Sequence, residues 1–272
     1  VIISIDDPRD PRLTDFGRLN EPEFRIKLEA ARELREGFFV VEGTLPVRTL
    51  LATAARVDIR AVLITPAQLD VLGEELRAVA APVYVAPRAL LRDIVGFDLH
   101  RGVVASVARP SLPALESLID DARLVAVGER LNDHENLGGL FRNAAALGVE
   151  AVLLDPECAD PWYRRCVRVS IGHVMTVPWT RLDSWPGSLE VLRAAGFCVA
   201  ALTPAADAID LAEFASGSPQ RVALLLGSEG TGLTDSALAA PDVRVRIPMR
   251  TGVDSLNVAT AAAIAFHALA RT

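Results

Sequence analysis

Glu229 lies within Leu226-Gly-Ser-Glu-Gly-Thr-Gly232, a loop with three glycines in six residues that directly follows the apolar run Val222–Leu226. Glycine lets backbone amides approach a ligand closely, because no Cβ stands in the way. The stretch is not a Walker loop, since no Gly-Lys-Ser/Thr follows, and its glycine spacing is wrong for the dinucleotide fingerprint. Glu229 would repel a phosphate; it suits a cation, or hydrogen bonds accepted from hydroxyl or amino groups. A glycine-rich turn without a ligand is the plain alternative.

Two more stretches share this layout. Glu129-Arg-Leu-Asn-Asp-His-Glu-Asn136 leaves the apolar run Leu124–Val127 and enters a helix, with Asn136 as a candidate N-cap and Gly138 and Gly139 just inside. Each glycine costs a helix about 1 kcal/mol against alanine, so close approach of another segment or a ligand is the expected compensation. Arg142 follows about two turns later, either as a ligand contact or as half of a surface ion pair. The third stretch, Ile247-Pro-Met-Arg-Thr-Gly-Val-Asp-Ser-Leu-Asn257, joins a short alternating run to a small-sided apolar helix. Asp254 or Ser255 can cap that helix. A cap alone does not require Pro248, Gly252 and three polar residues, so an ordinary helix start and a ligand site both fit.

The elements that must position these loops alternate between strand and helix. A helix is expected from Pro22 to about Glu36, then strand Phe38–Glu42, helix Leu45–Ala55, strand Ile59–Ile64, helix Ala67–Ala80, strand Val83–Val85, helix Arg88–Val95 and strand Gly102–Ala108. That is a compact α/β unit. Arg109-Pro-Ser-Leu-Pro113 reads as a linker, because two close prolines between a strand and a new helix mark a boundary. The expected division is a domain over 1–108, a linker over 109–119 and a second domain over 120–272. In the second domain, strand Leu124–Val127, helix Leu137–Leu147 and strand Ala151–Leu154 precede a helix over Trp162–Val169 and an apolar piece from Val174 to Trp179. Helix Ser188–Ala195 and strands Phe197–Leu202, Val222–Leu226 and Val243–Ile247 follow. Strands apolar throughout suit a parallel sheet covered on both faces. All three loops sit at strand carboxyl ends, where open α/β sheets place their ligands.

Composition narrows the class. No apolar run is long enough to span a bilayer, and Asp6, Asp7, Arg9 and Asp10 break up any signal-peptide core. Cys158, Cys166 and Cys198 give neither a disulfide framework nor a zinc site, so a cytoplasmic setting is expected. The net charge of −7 argues at face value against nucleic acid, yet the distribution of charge matters more than its sum. Lys27 is the sole lysine, so every candidate phosphate contact is an arginine fork. Arg164, Arg165 and Arg168 follow Trp162 and Tyr163 and could grip an RNA backbone, with a base stacked beside them; an amphipathic interface helix fits equally. His134, flanked by Asp133 and Glu135, could be a base or a solvated side chain, whereas His173, His267 and His100 have no partner at useful spacing and read as packing or surface residues.

At these residues the sequence resembles the SpoU (TrmH-type) branch of the SPOUT RNA methyltransferases. Asn136-x-Gly-x-x-x-Arg142 is similar to the first family motif, Gly227-x-Glu-Gly-x-Gly to the second, and Ile247-Pro-Met with Ser255-Leu-Asn257 to the third. Gly138-Gly-Leu stands where many members have Gly-Ala-Ile. Residues 38–107 resemble, less specifically, the small ribosomal-protein-like RNA-binding domain that precedes the catalytic domain in many members. The resemblance implies an α/β fold with a mostly parallel C-terminal sheet and a deep trefoil knot, S-adenosylmethionine as cofactor, a homodimer, no metal, and methylation of a ribose 2′-hydroxyl.

By motif position, the resemblance gives Gly227, Ile247 and Leu256 to the cofactor, with Leu202, Thr203, Leu226, Gly232 and Met249 beside them. It gives Asn136, Arg142, Glu229, Ser255 and Asn257 to catalysis and substrate placement. The surface expected to meet RNA is Arg142, the cluster of Arg164, Arg165 and Arg168, and the N-terminal domain. Ribosomal RNA is the expected substrate, with transfer RNA the alternative. A drug-resistance enzyme of the same type is a variant, and an RNA-binding assembly protein without catalysis is the rival of another class. A nucleotide-dependent oxidoreductase lacks its glycine fingerprint here.

Overall fold

A computed structural model describes residues 1–19, 37–99, 101–217 and 220–270. The helix expected over Pro22–Glu36 and His100 lie outside the described residues. The chain forms two compact units, Val1–Ser111 with Trp162–Met175, and Leu112–Pro161 with Thr176–Thr272.

The first unit carries β1 (Ile2–Ser4), a 3-10 helix over Pro11–Phe16, β2 (Phe38–Glu42), α1 (Thr44–Ala52), β3 (Ile59–Ile64), α2 (Pro66–Arg77), β4 (Val83–Val85), α3 (Arg88–Val95) and β5 (Val103–Ala108). The sheet is mixed, in the order β1-β4-β3-β5-β2, with β5 antiparallel to both of its neighbours. Its apolar faces bury Phe16, Phe39, Leu63 and Leu91. Helix α2 starts where Pro66 follows Thr65, whose hydroxyl accepts from the Gln68 amide, a hydroxyl cap with a preset first φ.

The stretch 162–175 was expected in the later domain and packs in this first unit instead. Trp162 stacks on Phe39 with ring centroids 4.4 Å apart. Arg164 pairs with Glu42 at 3.3 Å, and its guanidinium lies 4.6 Å from the Phe97 ring centre. These contacts join residues far apart in sequence, which no local pattern reveals. The helix here is short, α6 (Arg164–Val169).

The second unit carries α4 (Leu115–Ile119), β6 (Leu124–Gly128), α5 (His134–Ala146), β7 (Ala151–Leu154), β8 (Trp179–Arg181), α7 (Leu189–Ala194), β9 (Cys198–Leu202), β10 (Ile209–Asp210), α8 (Leu211–Ser216), β11 (Val222–Leu226), α9 (Asp235–Ala239), β12 (Val243–Arg246) and α10 (Val258–Leu269). Its seven strands run parallel in the order β10-β12-β9-β11-β6-β7-β8. Every residue of β6, β7 and β11 is buried, as strands covered on both faces should be. Carboxyl ends of β6, β9, β11 and β12 therefore share one edge, and the three polar loops leave from it. Helix α10 packs on α5 so closely that a Cβ on Gly139 would meet the Ala259 Cβ at 2.9 Å. The expected compensation for that glycine is this helix contact. No helix among the described residues is long and apolar enough to cross a membrane.

Candidate active site

Helix α5 begins one turn earlier than the sequence pattern suggests. Asp133 Oδ1 accepts from the amides of Glu135 and Asn136, both at 2.8 Å. Asp133 is thus the cap in place of Asn136, because the helix starts at His134 and Asn136 already lies inside its first turn. The Asn136 side chain is left to work elsewhere. Its Nδ2 donates to Glu229 Oε2 at 2.7 Å, and its Oδ1 accepts from Asn257 Nδ2 at 2.6 Å. Asn257 Oδ1 in turn accepts from the amides of Ala259 and Thr260. Asn257, rather than Asp254 or Ser255, therefore caps α10. Both ends set the amide orientations: a carboxylate only accepts, and the Asn257 oxygen is committed to backbone donors. One hydrogen-bonded line runs from Glu229 through Asn136 and Asn257 to the start of α10.

Beside this line lies a cavity of about 410 Å³, within the usual range for small-molecule sites. Leu202, Thr203, Leu226, Gly227, Gly232, Ile247, Met249 and Leu256 all line it, and so do Glu229, Ser255 and Asn257. The Gly227 loop turns back sharply. The Gly232 amide donates to the Ser228 carbonyl at 3.0 Å, and a Cβ on Gly227 would collide with the backbone of Gly232 and Leu233. Among the described residues, no cluster of His, Cys, Asp and Glu could hold a metal ion.

A family model described as the SpoU rRNA Methylase family matches residues 123–267. The chain belongs to that SpoU family. It is 47% identical over 267 residues to an uncharacterized tRNA/rRNA methyltransferase of Mycobacterium tuberculosis, covering 98% of this chain and 91% of the relative. It is 28% identical to the 23S rRNA (guanosine-2′-O-)-methyltransferase RlmB of Vibrio vulnificus, over 70% of this chain and 78% of that one. Among solved structures, the SpoU methyltransferase AviRb of Streptomyces viridochromogenes, in complex with AdoMet, superposes with a TM-score of 0.78. That pair is 26% identical and covers 96% and 98% of the two chains. The two-sheet α/β layout is thereby shared with that solved SpoU methyltransferase.

Within the SpoU region, sequence reasoning missed Glu129. It is 1% exposed and accepts from Trp185 Nε1 at 2.5 Å, the Thr234 amide at 2.8 Å and the Thr234 hydroxyl at 2.7 Å. This carboxylate fastens the exit of the glycine loop to the turn after β8. The available signal was a charged residue directly ending an all-apolar strand. Cys158, also passed over, accepts from the Leu131 amide at 3.2 Å and donates to the Gly128 carbonyl at 3.4 Å. Burial pushes its thiol well above the ordinary value, so it stays protonated and keeps that donor.

The arginines differ in their surroundings. Arg142 is exposed on α5 and lines neither the 410 Å³ cavity nor a smaller one beside Asn136. Arg165 and Arg168 are exposed on α6, whereas Arg164 is turned inward onto Glu42 and Phe97. The sequence put all three on or near one face; packing separates Arg164 from the other two.

Proposed function

We propose that ribosomal RNA is the substrate on which this SpoU protein, an RNA 2′-O-ribose methyltransferase, works with S-adenosylmethionine as its methyl donor. The observation that carries the reading is the Glu229–Asn136–Asn257 line at the edge of the 410 Å³ cavity. The cavity fits such a cofactor by volume and by lining: Leu226, Ile247 and Leu256 offer apolar surface, and the Gly227 loop offers backbone groups at close range. When bound, the cofactor supplies a methyl group on a sulfonium, open to in-line attack. Positioning is then most of the catalysis.

The remaining task is to make a ribose hydroxyl nucleophilic. Asn136 holds Glu229 Oε2, which leaves Oε1 to accept the hydrogen bond of an incoming 2′-hydroxyl. Ser255, exposed on the cavity wall, adds a second polar contact. A guanidinium offers five donors and no acceptor, so Arg142 suits an anionic contact better than the part of a base. Its proposed role, carried by the family motif and not by the cavity lining, is to hold the target phosphate or hydroxyl and to stabilise developing alkoxide charge. Arg142→Lys keeps the charge but loses the fork; a fall of about tenfold in turnover at saturating RNA and cofactor is expected. Near-full turnover would remove this role.

The protein acts in the cytoplasm as a homodimer, with the first unit, Arg165 and Arg168 meeting RNA. The 40% exposure of apolar Ile264 on α10 supports a partner on that helix. The return of β12 between β9 and β10, followed by the packing of α10 on α5, supports a knotted C-terminal segment. Identity to a 23S ribosomal RNA enzyme favours ribosomal RNA. Labelled cofactor and fractionated total RNA test this, followed by mapping of methylated riboses. Label in ribosomal RNA is expected; label confined to transfer RNA would move the substrate, and none in any RNA would leave a binding protein of the same fold.

A further inference from the structure

A second cavity, of about 260 Å³, opens beside the first and shares Ser228, Glu229, Thr231 and Val258 with it. Asn136, Asn132, Asp133 and Arg130 complete its polar wall. The charge balance of the two cavities is adverse for RNA. Glu229, Asp133 and Asp254 line them, and Arg130 is the only cationic side chain that does so among the described residues. A ribose cannot enter without its flanking phosphodiesters, which those carboxylates repel. A cation at this wall is needed to offset them.

Arg130 also has an unusual backbone. Its φ is +54°, a left-handed conformation that glycine or asparagine adopts more readily than a long side chain. Such strain persists where surrounding structure enforces it, and it gathers at ligand-binding positions. The neighbours here are enforced: Glu129 is fixed by three hydrogen bonds, and the Leu131 amide by Cys158. The turn therefore aims the residue at position 130 outward, whatever it is. Its visible partner, Glu157 at 3.0 Å, is itself exposed, and an exposed ion pair contributes little. It does not account for an arginine at a position shaped for glycine.

We infer that Arg130 contacts the RNA phosphate next to the target ribose, in the cavity it shares with Asn136 and Glu229, exchanging Glu157 for that phosphate. This deepens the proposed function and rests on it. Arg130→Gly makes a clean probe, because glycine suits the positive φ and the folded state should be at least as stable. Initial rates of the full-length variant would be measured with labelled S-adenosylmethionine and total RNA from cells lacking the protein, at several salt concentrations. Filter retention of the same RNA would run in parallel. The expected results are a fall of about tenfold in kcat/KM for RNA, a salt slope smaller by about one, unchanged cofactor affinity, and an unchanged or higher Tm. Glu157→Gln should move RNA retention the other way. Full RNA affinity and slope in Arg130→Gly, with wild type active, would overturn the contact alone. If wild type transfers no methyl group while retention still depends on Arg130, the reaction is wrong and the contact stands.

Discussion

Glu129 and Glu229 both lie just past apolar strands at one edge of the seven-stranded sheet, and their surroundings are opposite. Glu129 is buried and accepts on both oxygens, from an indole N–H, a backbone amide and a hydroxyl. Glu229 is exposed and receives one donor, Asn136. A buried carboxylate with both oxygens engaged works as a fastener, because removing it strands donors that have lost water. A carboxylate held by one oxygen keeps acceptor sites for a substrate. Residue type and position along the sheet are the same; the number of uncommitted acceptors separates structure from chemistry.

Substitution can break that contrast. Glu129→Ala leaves the Trp185 and Thr234 donors unpaired in the interior, and a loss of about 3–5 kcal/mol in urea unfolding is expected. A loss below about 1 kcal/mol would mean the fastener is not one. Glu229→Ala should lower methyl transfer by about a hundredfold and leave unfolding within about 0.5 kcal/mol of wild type. The reverse pattern, stability lost and transfer kept, would exchange the roles of the two residues. Trp185→Phe keeps most of the ring and removes only the indole donor to Glu129. A cost of about 2 kcal/mol in a thermal or urea melt is expected, the range for a hydrogen bond to a charged group.

Much of this arrangement was legible before any coordinates. Strand runs such as Val222–Leu226 are apolar enough to read as doubly covered, and their loops carry the polar residues, so the sheet edge and its three loops followed. The cofactor-side residues taken from the motif positions do line one cavity. Caps were not legible, because Asp133 and Asn136, or Asp254, Ser255 and Asn257, are all capable acceptors within a few residues. Which one faces the free amides depends on where the helix starts in space, and that is set by tertiary packing. The error mattered: moving the cap to Asp133 is what frees Asn136 to hold Glu229. The placement of Trp162 against Phe39 and of Arg164 against Glu42 depends on chain reversal over long separations. Two-residue β10 is too short for any alternation to show.

The hydrogen-bonded line from Glu229 to α10 has a consequence for how the protein is made. Asn136, Glu229 and Asn257 are contributed in that order, and Asn257 holds its orientation only through the first amides of α10. Chains fold as they emerge, amino-terminal parts first. A nascent SpoU chain halted before residue 257 can build the first unit and most of the parallel sheet, yet the last link in the line does not exist. Synthesis itself thus delays assembly: the line that orients Glu229 is incomplete until α10 has been released.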